Sequence, residues 1–231
     1  MLCITEHSLT HTKARIKATN KGVRVGTMPG VTIDMLEKGA ISADYNEIEK
    51  LTAEYCAILD YGKKVVIQKN ESELNVSIDK RKSISSTGVF KRPGESGNIP
   101  SGESYIAPLE DSANGQIIVD GSISGIGVIK EPIMLTIKSG RLVEATGAAG
   151  EKLKKILGTG DGRKIAELGI GTNKHARLSG NILEDEKVFG TVHIAFGSNH
   201  SFGGNTQADV HIDCVITDPN VWIDSEQVPL N

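Results

Sequence analysis

Between Ile165 and Asp213 the chain reads IAELGIGTN, then NILEDEKVFGTVHIAFGSNHSFGG, then HID. Side chains that bind metals stand there inside glycine-rich turns and short apolar runs. Glu167 precedes LGIG, His193 sits in TVHIAFG and His200 lies on a polar loop. Four of the six histidines fall between His175 and His211. The unit HID is the simplest. In an extended strand His211 and Asp213 project to one face, about 7 Å apart along the backbone. An imidazole nitrogen and a carboxylate oxygen then converge on one divalent ion, and zinc, cobalt, manganese and iron accept such mixed donor sets. Each residue alone has a plainer reading. HxD is commonly a polar strand face, and a histidine in an apolar run is commonly a buried side chain with a hydrogen-bond partner. Their joint occurrence points to a metal centre.

The rest of the chain must position these residues. Its 231 residues are 38% hydrophobic with a formal charge of −3, enough for one large domain or two small ones. Near-balanced charge argues against a nucleic-acid or membrane surface. No apolar run approaches a transmembrane helix in length, and MLCIT is too short for a signal-peptide core. Cys3, Cys56 and Cys214 have no CxxC spacing and read as reduced thiols of a cytoplasmic protein. Cys214, beside HID, reads as a buried thiol rather than a nucleophile.

Residues 8–20 read as a helix capped by Ser8, which puts His7 and His11 at its exposed start. VRVGTMPG reads as a strand entering a turn. Residues 44–61 form the clearest helix, with Ile48, Leu51, Tyr55, Ile58 and Leu59 on one stripe. From residue 63 to 144 short β-branched runs dominate: KVVIQ, ELNVSID, GQIIVDGSI, IMLTIKSG and RLVEA, the last two forming a hairpin about Ser139-Gly140. KRPGESGNIPSGE between them reads as a loop that delivers Glu103 ahead of YIAP. Residues 150–157 read as a short helix. GTGDGRK lacks the phosphate-loop spacing, and no strand–GxGxxG–helix unit is present. The expected fold is α+β: a strand-rich body with mixed sheet carrying a metal cluster and few helices, divided into an N-terminal segment 1–62 and a strand-rich metal-binding part 63–231.

Taken in order, NIPSGESYIAP, IAELGIGTN, NILEDEKVFGTVHIAFGSNHSFGG and HID resemble the aminopeptidase T, or thermophilic metallopeptidase, family, and SLTHTKARIKATNKGVRVGTMPG resembles an upstream part of it. The resemblance implies a metal-dependent exopeptidase with a binuclear site. It makes Glu103, Glu167, His193, His211 and Asp213 the ligands of two divalent ions, zinc, cobalt or manganese, with one carboxylate bridging. Glu103 or Glu167 would shuttle the proton. His200 stands where the family carries a tyrosine thought to help stabilise the transition state, so it is a candidate catalytic hydrogen-bond donor or further ligand. The family also implies a homodimer, a peptide substrate, and an additional N-terminal α/β domain that this chain, beginning at MLCITEHSLTH, would lack. Two other readings share the scaffold. One is a ring-cleaving dioxygenase with a single iron held by histidine and aspartate, towards which His200 leans. The other is a non-enzymatic metal-binding protein. The glutamate pair favours two ions and hydrolysis.

Overall fold

A strand such as Ser72–Ser77, in which buried and exposed residues alternate, has one apolar face that must be covered. The computed structural model, which describes residues 1–10 and 12–230, covers such faces by stacking two seven-stranded antiparallel sheets. One sheet runs, in spatial order, Gly127–Val128, Ser122–Ile123, His211–Ile216, Val192–Gly197, Ile165–Gly171, Glu103–Ile106 and Ile84–Ser86. The other runs Arg141–Ala145, Ile133–Lys138, Asn114–Val119, Ser72–Ser77, Lys64–Lys69, Asn220–Ile223 and Glu226–Val228. A single hydrophobic core joins them: Leu168, Ile194, Phe196 and Cys214 of the first sheet cluster with Ile67, Leu74, Ile117 and Leu135 of the second. The body is strand-rich with few helices, as expected from the β-branched runs.

The helix Tyr45–Tyr61 is capped by Asp44, whose carboxylate accepts from the Asn46 amide at 2.8 Å. It drives Tyr55 and Leu59 into the same core. The helix Gly147–Leu157 starts three residues before its expected limit and buries Leu153 and Leu157. Ser139 and Gly140 turn the hairpin with φ of 45° and 71°, the two positive angles a tight primed turn requires.

Two expectations need correction. The first helix begins at Lys13, because the Thr12 hydroxyl, not Ser8, accepts from the amide of Arg15, and the Ser8 hydroxyl bonds Thr10 instead. His7 is exposed, and His11 lies outside the described residues. The glycine-rich stretch read as a loop contains the strand Ser96–Asn98. This strand pairs in parallel with Val25–Pro29, which pairs in parallel with Leu2–Thr5. Pro29, Gly97 and Asn98 of this small sheet, with Gly30 just beyond it, help line a cavity of about 490 Å³ over the outer face of the first large sheet. Among the described residues no helix is long and apolar enough to cross a membrane.

Candidate metal centre

Side chains alternate across a strand, so every second residue of Ile165–Gly171, Val192–Gly197 and His211–Ile216 faces away from the core. Those positions carry Glu167, His193, His211 and Asp213, and the neighbouring strand adds Glu103 and Tyr105. The register places a small residue opposite each ligand. Gly169 faces His193 and Tyr105, Gly171 faces Glu103, Ala195 faces Glu167 and Asp213, and Gly197 faces His211. At Gly169 the ligand itself is what a side chain would meet, since a methyl built there would lie 2.0 Å from His193 Nε2. The imidazole lies over the bare glycine and can be aimed only because the side chain is missing. Gly169→Ala is therefore expected to swing the ring off its position. It should cost the ion that His193 serves and about a hundredfold in turnover, in line with the penalty for an ångström-scale misplacement, read by elemental analysis beside a rate assay.

The donor atoms converge. His193 Nε2 lies 3.4 Å from Glu103 Oε2 and 3.3 Å from Glu167 Oε1. His211 Nε2 lies 3.3 Å from Glu167 Oε2 and 3.4 Å from Asp213 Oδ1. Glu167 thus gives one oxygen to each imidazole. Three groups hold their donors within 4.8 Å: Glu103, Glu167 and His193; Glu167, His211 and Asp213; and Glu186, His193 and Asp213. Oxygen and imidazole donors of this kind suit zinc, cobalt or manganese. Carboxylates this buried need a cation in place of water. Glu103 is 4% exposed, Glu167 and Asp213 are each 6%, and Glu186 is 9%. The residues fit a divalent-metal centre.

Behind the ligands lies a charged run that composition alone assigns to the surface. Glu184, Asp185, Glu186 and Lys187 are all buried around the short helix Ile182–Asp185. Glu184 takes the guanidinium of Arg177 and the Ala40 amide, and Asp185 takes the amides of Ser179 and Gly180. The Lys187 ammonium, wholly buried, donates to Glu103 Oε1 at 2.6 Å and to Glu186. Sequence reasoning missed Glu186, Lys187 and the cavity-lining Tyr105. The signal for Tyr105 was available, because it stands two residues beyond Glu103 on one strand. For the EDEK run no such signal exists.

Charge follows the geometry. Burial presses on every group, but neighbours decide the direction. Burial would lower the pKa of His193, yet the bond to Glu167 and the charges of Glu103, Glu167 and Glu186 push it up to about 9. His211 is raised against burial by Asp213 and Glu167. Glu167 and Asp213 are held low despite burial by their histidines. Burial holds Glu186 up at about 8, with the Lys187 charge opposing it. An ion and a proton compete for each imidazole nitrogen. Metal binding is expected to release protons from the imidazoles, and affinity should climb as pH rises towards the His193 value of about 9. Titration calorimetry in buffers of different ionisation heat reads the release. In the ion-free chain the raised His193 pKa contributes stability that is fully present below about 6.5 and lost as pH rises through about 9.

The structure therefore brings together Glu103, Glu167, His193, His211 and Asp213. It does not bring His200 to them: that ring is exposed, with Nδ1 2.9 Å from the Ser198 hydroxyl. Cys214 faces the core, and burial together with the Asp213 charge keeps its thiol protonated. His175 pairs with the Ser42 hydroxyl at 3.2 Å.

Comparison with curated protein sequences gives no significant match. Solved structures that share the fold include the following two. A 2,5-dihydroxypyridine dioxygenase from Pseudomonas putida KT2440 superposes with a TM-score of 0.84 at 19% identity, covering 99% of this chain and 70% of that one. Wild-type AmpT from Thermus thermophilus superposes with a TM-score of 0.64 at 16% identity, covering 95% of this chain and 77% of that one. At these identities the likeness is one of fold. The sequence profile of the thermophilic metalloprotease (M29) family matches residues 31–226, a span that takes in all five converging ligand candidates, and the chain belongs to that family of metal-dependent peptidases.

Proposed function

We propose that the chain removes residues from the amino terminus of peptides with two divalent ions, zinc, cobalt or manganese. Glu103, Glu167 and His193 hold one ion, and Glu167, His211 and Asp213 hold the other. The observation that carries this reading is the position of Glu167, one oxygen 3.3 Å from each histidine nitrogen, as a bridging carboxylate requires. Two carboxylates beside one histidine in each of the three donor groups favour two ions and hydrolysis over a single iron held by histidine and aspartate.

When bound, the ions lower the pKa of a shared water and polarise the peptide carbonyl. The chain's residues do the rest. The carboxylates of the cluster, with Glu6 at the cavity lining, make a negative field that draws a protonated peptide amine. Leu183 and Phe202 give the cavity an apolar wall. Glu103 or Glu167 moves the proton from water to the leaving amine. Glu186 is a third candidate, because burial lets it hold a proton near neutrality. The family resemblance alone gives His200, exposed beside Ser198 and away from the cluster, a hydrogen bond on the substrate side. His200→Phe is expected to keep both ions and to slow turnover about tenfold, the value of one such bond. The reading includes the homodimer implied by the family resemblance and a reducing cytoplasmic setting, which suits the free thiols Cys3, Cys56 and Cys214.

Elemental mass spectrometry on tag-free protein, beside His193→Ala and a peptide-substrate screen, tests it. About two zinc, cobalt or manganese ions per chain, fewer in the variant, with amino-terminal cleavage, are expected. A single iron with oxygen uptake would replace this reading by the ring-cleaving one. No metal after soaking would leave a scaffold without the chemistry.

A further inference from the structure

The two ion positions, taken from the proposed function, are not built alike. At Glu167, His211 and Asp213 the histidine and the aspartate are both supported from behind. His211 Nδ1 donates to the Ser198 carbonyl at 2.8 Å, which orients the ring so that Nε2 faces Glu167 and Asp213. Asp213 Oδ2 accepts from the Ser124 hydroxyl at 3.3 Å. Among the described residues neither carboxylate of this position bears a lysine or arginine in an ion pair.

At Glu103, Glu167 and His193 the support is missing. Among the described residues His193 Nδ1 is buried without a hydrogen-bond partner, so nothing behind the ring orients it as the Ser198 carbonyl orients His211. Glu103 has already surrendered Oε1 to the ammonium of Lys187, a side chain with no solvent exposure. That ammonium is a permanent positive charge at the edge of a place meant for a second one, and buried like charges repel strongly. Glu167 must moreover be shared with the first ion.

We propose that Lys187 makes the two positions unequal, so that the first ion settles at Glu167, His211 and Asp213 and the second enters beside Glu103 and His193 only at much higher free metal. Lys187 is here a positioning residue. It pairs with Glu103 and Glu186 at once, and it sets how readily the second position fills. The centre then passes between one-ion and two-ion forms as free metal varies.

The test is a zinc titration of the metal-stripped chain against a chelator of known affinity, counting ions bound. Two steps separated by about tenfold to a hundredfold in free zinc are expected. His193→Ala should remove the second step and leave the first within about threefold. Lys187→Gln should close the gap by about tenfold, and Lys187→Arg should keep it. Two ions of equal affinity, loss of the first step in His193→Ala, or an unchanged gap in Lys187→Gln would each overturn the proposal. Should Lys187→Gln fail to fold, the same titration of Lys187→Met, which keeps the apolar stem and removes the charge, takes its place, and an unchanged gap there overturns the proposal. Binding of no ion would overturn this proposal and the two-ion reading together. Two unequal ions without peptide cleavage would support it and overturn only the assigned reaction.

Discussion

Glu167→Gln is expected to leave the centre with one ion at most and to cut peptide hydrolysis about a thousandfold, roughly 4 kcal/mol of barrier. The change is close to isosteric, so packing against Ala195 survives. What changes is the donor set. A glutamine presents one oxygen and one NH2 group, and the NH2 group donates where an ion needs a lone pair. Whichever way the amide turns, one of the two histidines loses the carboxylate oxygen that now lies 3.3 Å away. The lost negative charge weakens the remaining position as well, because that charge serves both. Metal content by elemental analysis and cleavage of an amino-terminal reporter peptide check this. An unchanged ion count would show that Glu167 does not bridge.

Removal of the ions is expected to lower the melting temperature by about 8 to 16 °C. An ion present at a thousand times its dissociation constant stabilises the folded state by about 4 kcal/mol, and a chain of this size shifts by about 2 to 4 °C per kcal/mol. The ion-free cluster offers little in exchange. Its four carboxylates Glu103, Glu167, Glu186 and Asp213 are all buried, and Lys187 is the one permanent cation paired with any of them among the described residues. Scanning calorimetry before and after chelation, with added zinc to restore the loss, gives the number. A melting point that does not move after verified removal of metal would mark the ions as adventitious.

The ligand set was legible because its chemistry is written at strand spacing. HID announces two donors on one face, and Glu167 and His193 each sit in an apolar run that only a strand satisfies. The glycines of ELGIG and the alanine and glycine of HIAFG carried further information: at period two from each ligand they mark where space is reserved. The helix of residues 45–61 was legible from its stripe. Lys187 and Glu186 were not, since a run of four charged residues ordinarily faces water and only the tertiary fold turns EDEK inward. The parallel strand Ser96–Asn98 was hidden by its glycine content, because its pairing comes from Val25–Pro29, some seventy residues away in sequence. His200 was singled out from its place in a motif, and loop geometry carried its ring out to solvent.

The alternation in the three central strands has a historical consequence. Odd-numbered residues from Glu167 to Asp213 address the cavity, while Leu168, Ile170, Ile194, Phe196 and Cys214 address the core. Two messages are interleaved in one stretch of chain, and each can be edited without garbling the other. A lineage can exchange one donor for another on the outer positions while the inner ones keep the protein folded. Such a sheet drifts between chemistries at low risk, which suits a fold found both in a dioxygenase and in AmpT.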